Sequence, residues 1–275
     1  MNRYGKLALI ELHRFWKVYA ALLAMTLVSQ AGGFFYHLRT YMNGVHRQMA
    51  ERGFRTYQEY REVFRGGETF HSFVSFAEPW FSGPVVLCAA AMIFYVFFIW
   101  YRDWLGKNTF IYRLLMLPTE RLNLFWAKLT AIMAFVLGLV AFQIVLLPVH
   151  LWMFRQIIPP ELGISESIFA FVRNHRLFQI LIPGTFPGFL VSYGTGLMSV
   201  TVVFASVLIE RSFRLKGLFG AILYAAACGT AMLAPSFSDR LYPLELFWLR
   251  FGIGILLLAV SVALSWLLLK RKITV

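Results

Sequence analysis

Six apolar stretches, near residues 18–35, 83–101, 124–147, 189–208, 218–233 and 246–269, constrain this 275-residue chain more than any motif it carries. A helix of about 20 apolar residues crosses about 30 Å of hydrocarbon, because each residue advances about 1.5 Å. Composition agrees: 59% of the side chains are hydrophobic and 14% are charged, whereas soluble domains are roughly 45–50% apolar. The expected fold is all-α, a polytopic membrane protein with six transmembrane helices in a single transmembrane domain over 1–275. The fourth stretch is entered through "PGTFPG" and the fifth is short, so their boundaries are the least sharply marked.

Loop charge sets the expected orientation. With an amino terminus in the cytoplasm, the inner segments hold fifteen of the 26 basic residues and only Glu11, Asp103, Glu120 and Glu210 of the 13 acids. Basic residues in short loops stay on the cytoplasmic side, whereas a long loop weighs little. Both termini are therefore expected in the cytoplasm. The formal charge of +13 is spread between apolar segments, which suits anionic lipid headgroups and not nucleic acid. Cys88 and Cys228 fall inside apolar stretches and read as small buried side chains. The opening "MNRYGKLALIELHRFWK" is too charged for a signal core, so no cleavable signal is expected.

Four polar segments flank the spans. Residues 1–16 place Leu7, Ile10 and Arg14 at helical spacing, with Phe15 and Trp16 suited to an aromatic belt, and predict an interfacial helix. The extracytoplasmic insertion, 38–78, contains "TYQEYREVFRGG". There Thr56 and Glu59 have capping-box spacing, Tyr60, Val63 and Phe64 share a face, and Gly66 is a stop. The cytoplasmic segment 102–121 predicts a short amphipathic helix capped by Asn108 or Thr109. Its apolar stripe is Phe110, Ile111, Leu114 and Leu115, with Arg113 turned away and Pro118 ending it. A second cytoplasmic loop is expected over 209–217, and another external or interfacial helix between the third and fourth spans. Gly194, Gly196, Gly217 and Gly220 permit close helix packing.

Familiar catalytic patterns are missing. "RGGETFHS" and "GLFGAILY" lack the lysine of a phosphate loop, and no HExxH or GxSxG occurs. The chain is expected not to be an enzyme and to bind no metal, its six histidines being scattered. Span interiors carry Cys, Ser, Thr, Tyr and Gln143, with Glu210 and Arg250 near span ends. A charge at mid-bilayer costs at least about 2.5–3.5 kcal/mol and is kept where ions are handled. Ion-coupled transport is thus not expected, and any uphill movement would draw energy from outside the chain.

The run "WYRDWLGKNTFIYRLLMLPTERLNLFWAKL", followed later by "VVFASVLIERSFRLKG", resembles the membrane subunits of bacterial ABC transporters of the ABC-2 permease family. The resemblance implies six spans, an interfacial amino-terminal helix and a coupling helix between spans two and three that docks on a separate ATPase. The ATPase-contacting residues it implies are Asn108, Phe110, Ile111, Arg113, Leu114 and Leu115, with Glu210, Arg211 and Arg214 in the second loop. Many family members carry a re-entrant pair between spans five and six, for which 235–245 is too short here. The function implied is the transmembrane subunit of an ATP-driven exporter of amphipathic or hydrophobic cargo, in the bacterial cytoplasmic membrane. Its partners would be two ATPase copies, which would carry the ATP and Mg, and a second membrane subunit, identical or related. The other reading of the residues is a non-transporting scaffold or sensor subunit of a larger complex.

Overall fold

A computed structural model describes residues 3–64, 67–104, 121–237 and 242–271. The protein is an all-α polytopic membrane protein: six of its helices are long and apolar enough to cross a bilayer. In chain order the elements are α1 (Arg3–Arg52), α2 (Tyr57–Phe64), β1 (Glu68–Thr69), α3 (Phe70–Phe76), α4 (Glu78–Trp104) and α5 (Arg121–Ile157). There follow β2 (Gly163–Ile164), α6 (Ile168–Asn174), α7 (Arg176–Leu181), α8 (Phe186–Leu233), a 3-10 turn (Ala234–Phe237) and α9 (Pro243–Arg271).

Residues 3–16, expected as an interfacial helix, are continuous with the first span: α1 is a helix of 50 residues, more than twice what a span needs. Residues 12–18, "LHRFWKV", supply charge but neither Pro nor Gly, so nothing in the backbone stops the helix. Its buried face there is Leu7, Ala8, Glu11 and Phe15, while Ile10 and Trp16 are exposed. The same helix takes up the first part of the expected outer insertion, as far as Arg52.

Residues 209–217 are helical, yet a side chain on Gly217 would lie 2.6 Å from the Ile209 carbonyl oxygen and 2.7 Å from that of Glu210. A straight helix would hold residues eight apart at about 12 Å. The chain therefore doubles back between them, making two arms, Phe186–Phe213 and Lys216–Phe237, each long enough to span. Gly217 has no Cβ and so admits the approach. Gly220 packs against Ile209 as well, whereas Gly194 and Gly196 face open space.

Two compact units organise the chain. The first comprises Met1–Phe15, Ala91–Ala134 and Thr185–Val275. Its packing includes Phe15 stacked on Tyr95 at 3.7 Å and the edge-to-face rings of Trp100 and Phe125 on Phe204, each at 5.5 Å. Met198, Val202, Cys228 and Leu257 join the arms of α8 to α9, where the Tyr224 and Ser261 hydroxyls are 2.7 Å apart. Both cysteines are free and buried.

The second unit comprises Trp16–Ala90 and Phe135–Gly184. Its core is aromatic: Phe34, Phe70, Phe81, Phe154 and Phe171 meet mostly edge to face, the favoured geometry for rings. Short elements are capped as their sequences dictate. Thr69 Oγ1 accepts from Ser72 N at 3.0 Å while Ser72 Oγ accepts from Thr69 N at 3.1 Å, a reciprocal box that starts α3. Ser167 caps α6 and Thr185 caps α8. At α2, Thr56 accepts from Glu59 N as expected, but the Glu59 carboxylate takes Arg55 N, one residue before the box position. Of the apolar face read for α2, Tyr60 is buried and Val63 and Phe64 are exposed. Burial pushes the Tyr60 phenol above its ordinary value, so it stays protonated and donates to Gln48 at 2.6 Å. The expected Gly66 stop lies outside the described residues. A two-residue parallel ladder, Glu68 to Gly163 and Thr69 to Ile164, ties this region to the chain following α5. Gln143, read as a polar residue within a span, accepts from Gln30 Nε2 at 3.2 Å, and that amide also donates to the Phe81 carbonyl.

Candidate functional site

The last turn of α4, Ile99 to Trp104, is the densest polar junction of the first unit. Helix α4 is buried by its apolar face up to Trp100 and then meets "YRDW", where a tyrosine, a cation, an acid and an indole follow one another. At 3.6 residues per turn Tyr101 and Trp104 share one side of the helix, while Arg102 and Asp103 reach partners on other helices.

Asp103 and Glu11 hold Lys128 between them. Lys128 Nζ donates to Glu11 Oε1 at 2.8 Å, to Asp103 Oδ2 at 2.5 Å and to the Ile99 carbonyl at 3.0 Å, so all three of its protons are used. Arg102 donates to the second Glu11 oxygen at 2.6 Å, and Arg14 donates to the second Asp103 oxygen at 3.0 Å. Lys128 is wholly buried, with Glu11 at 2% and Asp103 at 1% exposure, while the two arginines reach the rim. The ammonium also sits 5.2 Å from the Trp100 ring. Two carboxylates against three cations leave the cluster with a net single positive charge. Removing such charges from water costs several kcal/mol each, and only close pairing with every lone pair and proton engaged offsets that.

Tyr101 and Trp104 face the bend of α8. The Tyr101 hydroxyl donates to the Glu210 carboxylate, and the Arg211 guanidinium lies 4.6 Å from the Tyr101 ring and 5.8 Å from that of Trp104. Thus Glu210 and Arg211, both expected to contact an ATPase, are brought to the end of α4. Arg214 belongs to the same bend. Asn108, Phe110, Ile111, Arg113, Leu114 and Leu115, with the cap candidate Thr109, lie outside the described residues.

Sequence reading missed the cluster itself. Lys128 counted as a loop charge that orients the chain, and the span interiors read as free of ions. The structure corrects both, since Lys128 is in the second turn of α5 and fully buried. Two local signals were there: Glu11 stands three residues before Arg14, a helical pair spacing, and Lys128 is a lone cation within "LFWAKLTAIM". Among the described residues, no group of three or more His, Cys, Asp or Glu is placed to hold a metal ion. No protein-family model, curated protein or solved structure matches the chain.

Proposed function

We propose that the chain is the transmembrane subunit of an ATP-driven transporter, moving an amphipathic or hydrophobic substrate with energy from a separate ATPase that carries the ATP and Mg. One observation carries this reading. The segment 105–120 leaves directly from α4 and returns directly into α5, and both of its roots are held by the Glu11–Asp103–Lys128 cluster. The α8 bend, with the second set of expected contact residues, is tied to the same turn through Glu210 and Arg211.

In this reading the apolar stripe Phe110, Ile111, Leu114 and Leu115 seats in a groove of the ATPase, with Asn108 and Arg113 fixing its orientation at the rim. A push on that stripe reaches two helix ends clamped together. Multiple charge-assisted bonds resist the hinge motion that would otherwise absorb the displacement. The helices then move as a body, which is what alternating exposure of a substrate path needs. Export, an identical or related second membrane subunit and cytoplasmic termini belong to the same proposal.

The test is purification of the tagged chain from its native membranes. An ATPase should accompany the wild type and be lost from Leu114→Asp with Leu115→Asp, while the variant still inserts. Retention of the ATPase by that variant, or labelling of an Arg113→Cys thiol from the cell exterior, overturns the proposal.

A further inference from the structure

A cavity of about 350 Å³ opens in the second unit beside α1, within the range of about 300–1,000 Å³ typical of small-molecule sites. One face of α1 supplies His37, Thr40, Tyr41, Gly44 and Gln48, at the spacing that places residues one above another on a helix. The far wall is aromatic, formed by Tyr60 of α2 and by Phe73 and Phe76 of α3. Those walls are fixed. Phe73 is buried in the aromatic core and packs edge to face on Tyr41 at 4.9 Å, and Tyr60 is held by its bond to Gln48.

We propose that this cavity binds an uncharged pyranose ring of a saccharide or glycoside. The lining combines aromatic rings with short-range hydrogen-bonding groups and contains no Lys, Arg, Asp or Glu. Apart from the His37 imidazole, a phosphate, a carboxylate or a metal would find no charged partner in it. A sugar ring matches both halves of the lining: its C–H face meets the electron-rich face of an aromatic ring, and its hydroxyls donate to and accept from amide, imidazole and hydroxyl groups. Such groups remain on offer. Gln48 uses its oxygen for Tyr60 and keeps its amide hydrogens, and among the described residues the His37, Thr40 and Tyr41 polar atoms make no hydrogen bond. Gly44 leaves the middle of the wall bare, since a Cβ there would meet nothing within 4 Å. The proposal does not depend on the ATPase reading, because every residue in it belongs to the second unit.

Saturation-transfer NMR of the full chain in lipid nanodiscs, with methyl glucoside and N-acetylglucosamine as probes, tests it. At least one probe should bind saturably. Gly44→Leu, whose Cβ would meet nothing within 4 Å, should weaken that binding at least tenfold with no loss in unfolding temperature. Gln48→Leu, which keeps the volume and removes the amide, should weaken it several-fold. Absence of saturable binding by both sugars, equal binding by Gly44→Leu, or displacement of the sugar by choline would each overturn the assignment, the last in favour of an aromatic cage for cations.

Discussion

The two units solve the same problem, holding helices together, with opposite chemistry. The first concentrates ions at the end of α4, where three helices meet through Glu11, Asp103 and Lys128. The second relies mainly on edge-to-face phenylalanines and capped short helices, its polar pairs including Gln30 with Gln143, His175 with Glu78 and Arg47 with Glu51. Aromatic packing tolerates small shifts, because many weak contacts change gradually. A buried ion network does not: it is either complete or it leaves a bare charge. The stiffer joint lies in the ionic unit, which carries the roots of 105–120.

The comparison breaks most severely in the cluster around Lys128. Lys128→Met removes the ammonium that bridges the two buried carboxylates, leaving Glu11 with Arg102 and Asp103 with Arg14, and should destabilise the first unit by about 3 kcal/mol. Hydrogen exchange should then accelerate in 91–104 and 121–134, with little change in the aromatic core of the second unit. Adding Glu11→Gln and Asp103→Asn should deepen the loss, since Arg102 and Arg14 then lose their carboxylates; a triple variant as stable as Lys128→Met would deny the network its role. On the aromatic side, Phe171→Ala removes a fully buried ring and should cost about 4 kcal/mol. Exchange measured on that variant should rise in α3 and α6 and stay unchanged at α4's last turn.

Gly217→Ala sharpens the contrast within the first unit. Its methyl group meets backbone atoms of Ile209 and Glu210 that cannot swing aside as a side chain would, so a cost of about 2 kcal/mol is expected. The Tyr101–Glu210 bond should weaken with it, seen as faster exchange at both positions. Smallest is Thr69→Ala, which deletes half of the capping box and should lower the unfolding free energy by about 1 kcal/mol. Calorimetry of that variant should show the loss with no effect on labelling of the first unit.

The spans were legible because hydropathy and length alone decide them, and all six stretches coincide with helices suited to crossing. Caps at Thr56 and the helix from Tyr57 were legible too, being local. Segment boundaries drawn from charge were not. Residues 1–16 read as an interfacial helix ahead of the first span, yet helix formation depends on the backbone, and "HRFWK" does not interrupt it. The junction at α4 was hidden for another reason: Glu11 and Arg102 are separated by 91 residues and Glu11 and Lys128 by 117. No local pattern announces a pairing at such range. Likewise the cavity beside α1 exists because Tyr60 and Phe73 arrive from other helices, which the stripe from His37 to Gln48 does not reveal by itself.

The separation of Glu11 from Lys128 also orders events at the ribosome. Glu11 emerges first, more than a hundred residues ahead of its lysine, and until α5 has been made its counter-ions are Arg14 and Arg102 alone. A chain halted before Lys128 therefore holds an unfinished junction, its two acids facing arginines at the rim with no ammonium between them.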